Sequence, residues 1–372
     1  MKKIHIHFGS DAKFSDIISS IETYNTIGDV FDHINKTKIA LDGIAPIDEP
    51  PMQIDNLVIQ TDDYGGIKEW AILGFSSNVL EHTRVKVNNV WLNNPPTKFY
   101  EDIRKVYFDF IEEHIDKPQE LNLDILKNIS AKYNNIIIGQ PNVVRQFLSS
   151  MYSVMNQKRK RPVTFLFLGE SGVGKTETAK FINSFFDGEM LRIQFSMQQT
   201  GEAYKYIFGA EHGENSLARE LIRRESNVIL LDEFDKVHSS FYNAFYQMFD
   251  EGIFVDKNYT VKVEKCIIIC TSNYLTEEEA EKHLGTPIYS RFSKIIKFNT
   301  ISIEDKIIIA EKNYNNLFYD LTDDDQTLIK NNKVLSFYIS QIQKGYYKNM
   351  RMLKNDMEDA LNYEILKARK II

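Results

Sequence analysis

A lysine and a threonine close a glycine-rich stretch, G-E-S-G-V-G-K-T, at residues 169–176. The spacing G-x-x-x-x-G-K-T is typical of a loop that binds the phosphates of a nucleotide. Glycine lets backbone N–H groups turn towards an anion, because it has no Cβ. Lys175 can reach the β- and γ-phosphates, and the Thr176 hydroxyl can bind Mg²⁺. These residues predict ATP and Mg²⁺ as ligands.

Two carboxylates stand together at the end of an apolar run, S-N-V-I-L-L-D-E-F-D-K. Residues 228–231 predict a buried parallel strand, and ligands of open α/β sheets lie where such strands end. There Asp232 would order the Mg²⁺ shell through water, and Glu233 would polarise the attacking water. An apolar run ending in Asp-Glu is a weak signal alone, but about fifty residues after a phosphate loop it is a strong one.

The elements around these residues must form a parallel sheet. Apolar runs at residues 165–168 and 266–270 predict two further strands, and helical spacing of apolar residues follows the glycine loop. The second of these strands leads into T-S-N, where a polar side chain can hydrogen-bond the γ-phosphate or its water. Residues 253–263 predict a hairpin. Residues 301–372 predict a helical lid, with helices at residues 303–314, 323–330, 334–344 and 349–369.

Residues 1–115 predict a separate α+β domain for binding a partner or substrate. An apolar helical stripe runs from Phe99 to Ile111. His5 and His7 share one face of the first strand, so a two-histidine metal site is conceivable, but metal-free surface histidines are favoured. Residues 116–135 predict a polar linker that contains a short helix. The strand-like segments of the domain are residues 4–8, 57–61, 70–75 and 85–92.

Composition limits the classes of protein to consider. The chain has 372 residues, 43% of them hydrophobic, and a net charge of −7, so large cores can form and nothing in the overall charge favours nucleic acid. The only dense basic run, Q-K-R-K-R at residues 157–161, is interpreted as a solvated loop in preference to a nucleic-acid contact. No apolar run approaches the roughly 20 residues of a membrane span, and the start lacks the apolar core of a signal peptide.

The two cysteines lie in C-I-I-I-C. On one strand face they are too far apart for a disulfide, so we interpret Cys266 and Cys270 as buried core residues of a cytoplasmic protein.

From residue 137 to residue 372 the chain resembles the Clp-type AAA+ ATPases, in particular the second ATPase module of the Clp disaggregases. The resemblance implies a P-loop NTPase of the AAA+ type that hydrolyses ATP to ADP and phosphate. It divides this part into a large ATPase subdomain at residues 136–300 and a lid subdomain at residues 301–372. The matching pieces, in the order of the family, are I-I-G-Q-P, F-L-F-L-G-E-S-G-V-G-K-T-E, V-I-L-L-D-E-F-D-K-V-H, D-E-G-I-F-V-D, I-I-I-C-T-S-N, S-R-F and M-R-M-L-K.

The resemblance also implies roles for single residues. Asn273 would be the first sensor, and Arg351 on the lid would be the second. Arg291 would be an arginine finger that reaches the γ-phosphate of the neighbouring subunit, which implies a homo-oligomer, hexameric as in the family. Without the family spacing, surface salt bridges would be favoured for both arginines. The nucleotide contacts implied are Gly169, Glu170, Ser171, Gly172, Val173, Gly174, Lys175, Thr176 and Glu177 in the loop, with Ile137 and Ile138 beside adenine.

One segment departs from the family. Clp unfoldases carry an aromatic-glycine loop that grips polypeptide in the pore, whereas residues 208–217 here, F-G-A-E-H-G-E-N-S-L, are short, acidic and without an aromatic after Phe208. Tyr204 and Tyr206 precede the segment and could substitute for the missing aromatic, but a place in a helix core is favoured for both. The departure weakens the expectation that polypeptide is threaded.

Three hypotheses share ATP hydrolysis. The first is a Clp-like machine that remodels a protein substrate. The second is an ATP-switched oligomeric scaffold that recruits or regulates an effector through residues 1–115, without threading. The third, a nucleic-acid remodeller, is possible but ranks last because of the acidic balance.

Overall fold

Two five-stranded parallel sheets organise the molecule in a computed structural model. The structure describes residues 3–36, 50–155, 161–197, 200–347 and 349–372. Apart from Arg161, the basic run at residues 157–161 lies outside the described residues. Among the helices of these residues, none combines the length and the apolar character needed to cross a membrane.

The N-terminal sheet has the strand order β2-β3-β4-β1-β5, and every neighbouring pair in it is parallel. Helices alternate with its strands along the chain. The strands are β1 Lys3–Phe8, β2 Asn25–Thr26, β3 Met52–Ile59, β4 Val85–Asn93 and β5 Ile111–Ile115, and the α-helices are α1 Asp11–Ile18, α2 Ile27–Lys36, α3 Glu69–Leu73 and α4 Thr97–Tyr107.

The predicted mixture of helices and strands in this domain is present, but its arrangement is an alternating α/β one. The strand predicted at residues 70–75 is wrong, because Glu69–Leu73 is helical. The buried positions in and just after this helix, Ala71, Ile72 and Phe75, have the spacing of a helix face. The helical stripe predicted to reach Ile111 ends earlier, at Tyr107, and β5 follows.

A connecting segment at residues 116–122 lies against the second sheet. Asn227 donates hydrogen bonds to the carbonyls of Pro118 and Gln119, at 3.1 and 3.0 Å. Lys265 forms an ion pair with Glu120. Two helices follow, α5 Leu123–Ile136 and α6 Pro141–Met155.

The second sheet has the order β12-β6-β11-β8-β7, and all its strands are parallel. The carboxyl ends of β6, β11 and β8 therefore lie side by side at one edge. The predicted hairpin is β9 paired with β10. The strands are β6 Val163–Leu168, β7 Leu191–Gln194, β8 Val228–Asp232, β9 Ile253–Val255, β10 Thr260–Lys262, β11 Ile267–Thr271 and β12 Lys294–Lys297. The helices are α7 Lys175–Asn183, α8 Thr200–Phe208, α9 Leu217–Ile222, α10 Tyr242–Glu251, α11 Glu277–Leu284 and α12 Thr286–Tyr289.

Alternation along the central strands divides the core between the two faces of this sheet. Phe165 and Phe167 pack on the side of α5, α6 and α7. Leu166 and Leu168 pack on the opposite side, with Cys266 and Cys270. Both cysteines are fully buried and free, as predicted.

The four helices predicted after residue 301 are present. Their first and last residues are α13 Ile303–Tyr319, α14 Asp323–Leu328, α15 Val334–Gln343 and α16 Met350–Ala368. Leu353, Met357 and Leu361 form the buried stripe of α16, and they share one apolar cluster with α5 and α6. The lid is thus packed against the same core as the sheet.

The N-terminal sheet and the second sheet meet through α9 and the segment before it. The buried Arg219 guanidinium donates to the Asp62 carboxylate at 2.6 Å and to the Thr61 carbonyl at 3.1 Å. Arg223 donates to Asp11 at 2.5 Å. Gly65 and Gly213 touch, because a Cβ built on Gly65 would lie 2.5 Å from the Gly213 Cα. The segment that would carry a pore aromatic therefore faces the N-terminal domain.

Candidate active site

The predicted phosphate loop turns the chain from β6 into α7. Gly169, Gly172 and Gly174 all have left-handed backbone conformations, with φ of 141°, 86° and 102°. A Cβ on Gly169 would lie 2.9 Å from the Phe298 carbonyl oxygen, and one on Gly172 would lie 3.0 Å from the Asn349 Oδ1. Glycine is needed here for both conformation and space.

Lys175, at the start of α7, is buried beneath this loop. Its Nζ donates to the carbonyls of Gly169 at 2.5 Å and Glu170 at 2.7 Å, and to the Asn273 Oδ1 at 3.4 Å. Burial lowers the pKa of Lys175 to about 8, against the opposing effect of nearby carboxylates, of which Asp235 is the strongest. The structure therefore joins the loop lysine to the residue predicted as first sensor.

Asp232 lies at the end of β8, almost fully buried. The Thr176 hydroxyl, predicted as a Mg²⁺ ligand, is 3.4 Å from its Oδ1, and the Thr271 hydroxyl donates to the same oxygen at 2.5 Å. Arg192 of β7 donates twice to Oδ2, at 3.0 and 2.6 Å. A hydroxyl and an oriented carboxylate thus converge, and oxygen ligands of this kind suit Mg²⁺.

Glu233 has a left-handed backbone with φ of 56°, which is uncommon for a residue other than glycine. Its backbone N–H donates to the Thr271 hydroxyl at 3.0 Å. Its side chain accepts a hydrogen bond of 3.4 Å from Gln194 of β7. Such strained conformations cluster at functional sites, and this one turns the chain sharply just after Asp232.

The predicted adenine side lies between α5 and α6. Ile137 is buried, and its Cγ2 lies 3.7 Å from a Cβ built on Gly174, while Ile138 is partly exposed. The buried Gln140 donates to the carbonyls of Val173 and Asn299, at 3.2 and 2.7 Å. Ile137 therefore borders the phosphate loop, and Gln140 fixes that loop to the segment after β12.

Among the described residues, neither of the two predicted arginines donates a side-chain hydrogen bond to this group of residues. The Arg291 guanidinium donates to Asp250 at 2.7 Å and to the Pro287 carbonyl at 2.5 Å, and it lies 4.3 Å from the Tyr246 ring centre. Arg351 lies in the first turn of α16, where its side chain is exposed. Arg291 therefore contacts the surface of its own subunit, and its described contacts do not include the phosphate loop of that subunit.

Several residues of the site carry no sequence signal that identifies them. Arg192 and Gln194 reach the acidic pair only because β7 pairs with β8, with Gln194 opposite Asp232. Asn349, which caps α16, touches the loop only because the lid folds back over it. Thr271 belongs to the predicted T-S-N segment, but its hydrogen bond to Asp232 follows only from the pairing of β11 with β8.

A phosphate loop after β6, with an acidic pair at the end of a nearby parallel strand, defines the class of P-loop NTPases. Residues 160–317 match the AAA domain (Cdc48 subfamily). The chain is 28% identical over 281 residues to the chaperone protein ClpB of Clostridium tetani (strain Massachusetts / E88), covering 71% of this chain and 30% of that protein. It is 27% identical over 302 residues to ClpB of Malacoplasma penetrans (strain HF-2), covering 73% and 42%.

Among solved structures, the Saccharomyces cerevisiae Hsp104-ADP complex matches with a TM-score of 0.50 and 22% identity, over 67% of this chain and 49% of that one. This likeness concerns the fold alone. These matches confirm the predicted resemblance to the Clp-type AAA+ ATPases, the predicted fold class of residues 136–372 and the predicted type of enzyme. It spans less than half the length of either ClpB relative.

Proposed function

We propose that this protein hydrolyses ATP in an oligomer and couples hydrolysis to the remodelling of a protein substrate. The observation that carries the proposal is the convergence of Lys175, Thr176, Asp232, Glu233 and Asn273 at the carboxyl ends of three parallel strands. We also propose residues 1–115, 116–135, 136–300 and 301–372 as the functional units.

Each side chain of the site has a defined task in this proposal. Lys175 and the backbone of residues 169–177 hold the β- and γ-phosphates, with Ile137 and Ile138 beside the base. Thr176 and Asp232 would hold Mg²⁺, and the ion would supply charge neutralisation on the phosphates. Glu233 accepts a proton from the attacking water, while Asn273 hydrogen-bonds that water or the γ-phosphate.

The substitution Glu233→Gln tests the hydrolysis step. We expect ATP binding to persist and turnover to fall by about 10²-fold or more, because an amide cannot accept the proton of water. The measurement is phosphate release under saturating ATP, together with nucleotide binding at equilibrium. Glu251→Gln, at an exposed helix end, is the matched control and should hydrolyse normally. Normal turnover by Glu233→Gln would refute the role assigned to Glu233.

The ClpB relatives support remodelling as the purpose of hydrolysis, since both are named chaperones. The test is the unfolding of a tagged reporter protein by the full chain with ATP, with Glu233→Gln as the inactive control. ATP-dependent unfolding is expected. An assembled oligomer that hydrolyses ATP and leaves the reporter folded would reject remodelling by threading.

A second candidate, the ATP-switched scaffold, is favoured by the segment before α9. Residues 209–216 contain no aromatic, and Gly213 lies against Gly65 of the N-terminal domain. Tyr206 is buried and bonded to Glu220, whereas Tyr204 is 58% exposed and is the aromatic left to grip a chain. The expectation that both tyrosines belong to a helix core is therefore wrong for Tyr204.

Nucleotide-dependent capture separates this scaffold from the remodeller. The proteins of the source cell are incubated with two samples. One is the full chain loaded with ADP, and the other is the Glu233→Gln variant loaded with ATP. If the protein is a scaffold, we expect it to retain a partner in one nucleotide state alone and to leave the reporter folded in a parallel unfolding assay. Reporter unfolding that is lost on Tyr204→Ala would instead favour threading.

Oligomerisation and location complete the proposal. The half-buried position of Arg291 beside Asp250, away from its own phosphate loop, supports a finger that acts on the neighbouring subunit in a hexamer, and Arg351 on the lid would sense the γ-phosphate. Two buried, unbridged cysteines support a cytoplasmic location.

A further inference from the structure

Three side chains on one face of the N-terminal sheet bring their ligand atoms together. His5 of β1 pairs in register with Trp91 of β4 on one side and with Glu112 of β5 on the other. His114 lies two residues further along β5, on the same face as Glu112. The nitrogen and oxygen atoms of His5, Glu112 and His114 all lie within 4.8 Å of one another.

The separations resemble those around a tetrahedral metal ion. His5 Nδ1 is 3.4 Å from His114 Nε2 and 3.8 Å from a Glu112 oxygen, and His114 Nε2 is 4.0 Å from the other Glu112 oxygen. Zinc bonds of about 2.0–2.2 Å place tetrahedral ligand atoms roughly 3.3–3.6 Å apart. The two Glu112 distances involve different oxygens, so the half-exposed Glu112 side chain, which bonds to Lys3, must turn to bring one oxygen close to both imidazoles.

The structure assigns a zinc site to His5, Glu112 and His114, with water as the fourth ligand. Two imidazoles and one carboxylate are a donor set that binds Zn²⁺, whereas Mg²⁺ prefers oxygen ligands alone. The site is therefore chemically distinct from the phosphate site. The sequence interpretation of His5 and His7 as surface histidines is wrong for His7, which is buried against Asn93 and Asp116, whereas His5 lies beside His114.

A bound zinc ion would tie the edge strand β5 to β1. β5 has a sheet partner on one side only, and the segment leaving it leads to the ATPase module. Edge strands are the least constrained strands of a sheet. The ion would thus hold the last strand of the N-terminal domain at the point where the connecting segment begins.

Metal content of the untagged full chain tests the assignment. The protein is stripped with a chelator, dialysed against Zn²⁺ with excess Mg²⁺, and analysed for zinc per chain. We expect one zinc ion in the wild type and an affinity lowered about tenfold or more in His114→Asn and Glu112→Gln. Both positions lie outside the apolar core, so these variants should fold. His283→Asn, on α11 of the ATPase module, is the matched histidine control and should bind like the wild type.

Quenching of tryptophan fluorescence by cobalt is a second measurement, and it locates the bound ion. His5 stacks on Trp91 with ring centres 3.8 Å apart, so Co²⁺ bound to His5 should quench Trp91 emission. His114→Asn keeps the stack and should lose the quenching. Equal zinc content in the wild type, His114→Asn and Glu112→Gln would overturn the assignment, as would a wild type that binds no zinc.

Discussion

Lys175 combines a buried position with a titratable ammonium group. Its pKa is lowered to about 8 by burial, so in the nucleotide-free protein the amine becomes neutral as the pH rises through this value. A triphosphate requires the charged form, and binding above that pH therefore requires the uptake of a proton. The pH dependence of ATP affinity reports directly on this residue.

We predict that ATP affinity is nearly constant below about pH 7.5 and falls by up to roughly tenfold per pH unit above about pH 8.5. Equilibrium titration with a fluorescent ATP analogue measures it. Lys175→Arg is the control, because arginine stays charged over the whole range. Parallel pH profiles for the wild type and Lys175→Arg would show that another group controls binding.

At the scale of elements, the lid contacts the phosphate loop through Asn349. Asn349 accepts a hydrogen bond from the Arg351 backbone as the cap of α16, and its Oδ1 lies over Gly172. Thr322 caps α14 through a similar bond to Asp325. Comparing variants at the two caps therefore separates the effect of a lost helix cap from the effect of a lost contact between the lid and the loop.

We predict that Asn349→Ala and Thr322→Ala each lower the free energy of unfolding by about 1 kcal/mol, as expected for a lost cap. Asn349→Ala alone should also weaken ATP binding, because it removes the lid contact with the loop. Thermal unfolding and ATP titration of both variants give the comparison. An equal loss of ATP affinity in both would mean that the Asn349 contact has no specific role.

Elements whose signal is local could be predicted from the sequence. The glycine loop and the buried strands around it follow from a few neighbouring residues, and the α16 stripe follows from apolar spacing. The strand β5 could not be predicted, because I-E-E-H-I is an edge strand without a consistent apolar face. Helix α3 was misassigned because its five residues are too few to establish a period.

The candidate active site can be predicted only in part, because some of its contacts depend on which strands pair and in which register. Lys175, Asp232 and Asn273 end or follow strands of one parallel sheet, so their meeting follows from the fold class. Arg192 depends on the register of β7 against β8, which no local pattern specifies. The His5–His114 pair likewise depends on β5 lying next to β1.

At the scale of the whole molecule, Arg219 joins the N-terminal domain to the ATPase module. Its buried guanidinium also donates to the carbonyls of Gly213 and Glu214, at 3.3 and 3.2 Å. Truncation would leave these carbonyls and that of Thr61 without their donor. Loss of bonds from a charged donor of this kind costs about 1–3 kcal/mol.

We predict that Arg219→Ala loosens the contact between the two parts and exposes residues 209–216 to protease. Limited proteolysis and hydrogen exchange of the full chain measure this. Arg104→Ala, on α4 of the N-terminal domain, is the matched control. Unchanged protection of residues 209–216 in Arg219→Ala would show that the interface does not depend on this arginine.

The central claim is that one subunit binds the triphosphate and the next supplies Arg291. Mixing two inactive variants, Glu233→Gln and Arg291→Ala, tests it most directly. If Arg291 acts on the neighbouring subunit, interfaces that pair an intact Glu233 with an intact Arg291 are active, and an equal mixture recovers about one quarter of wild-type ATPase activity. A mixture that assembles and stays as inactive as its components would contradict the account.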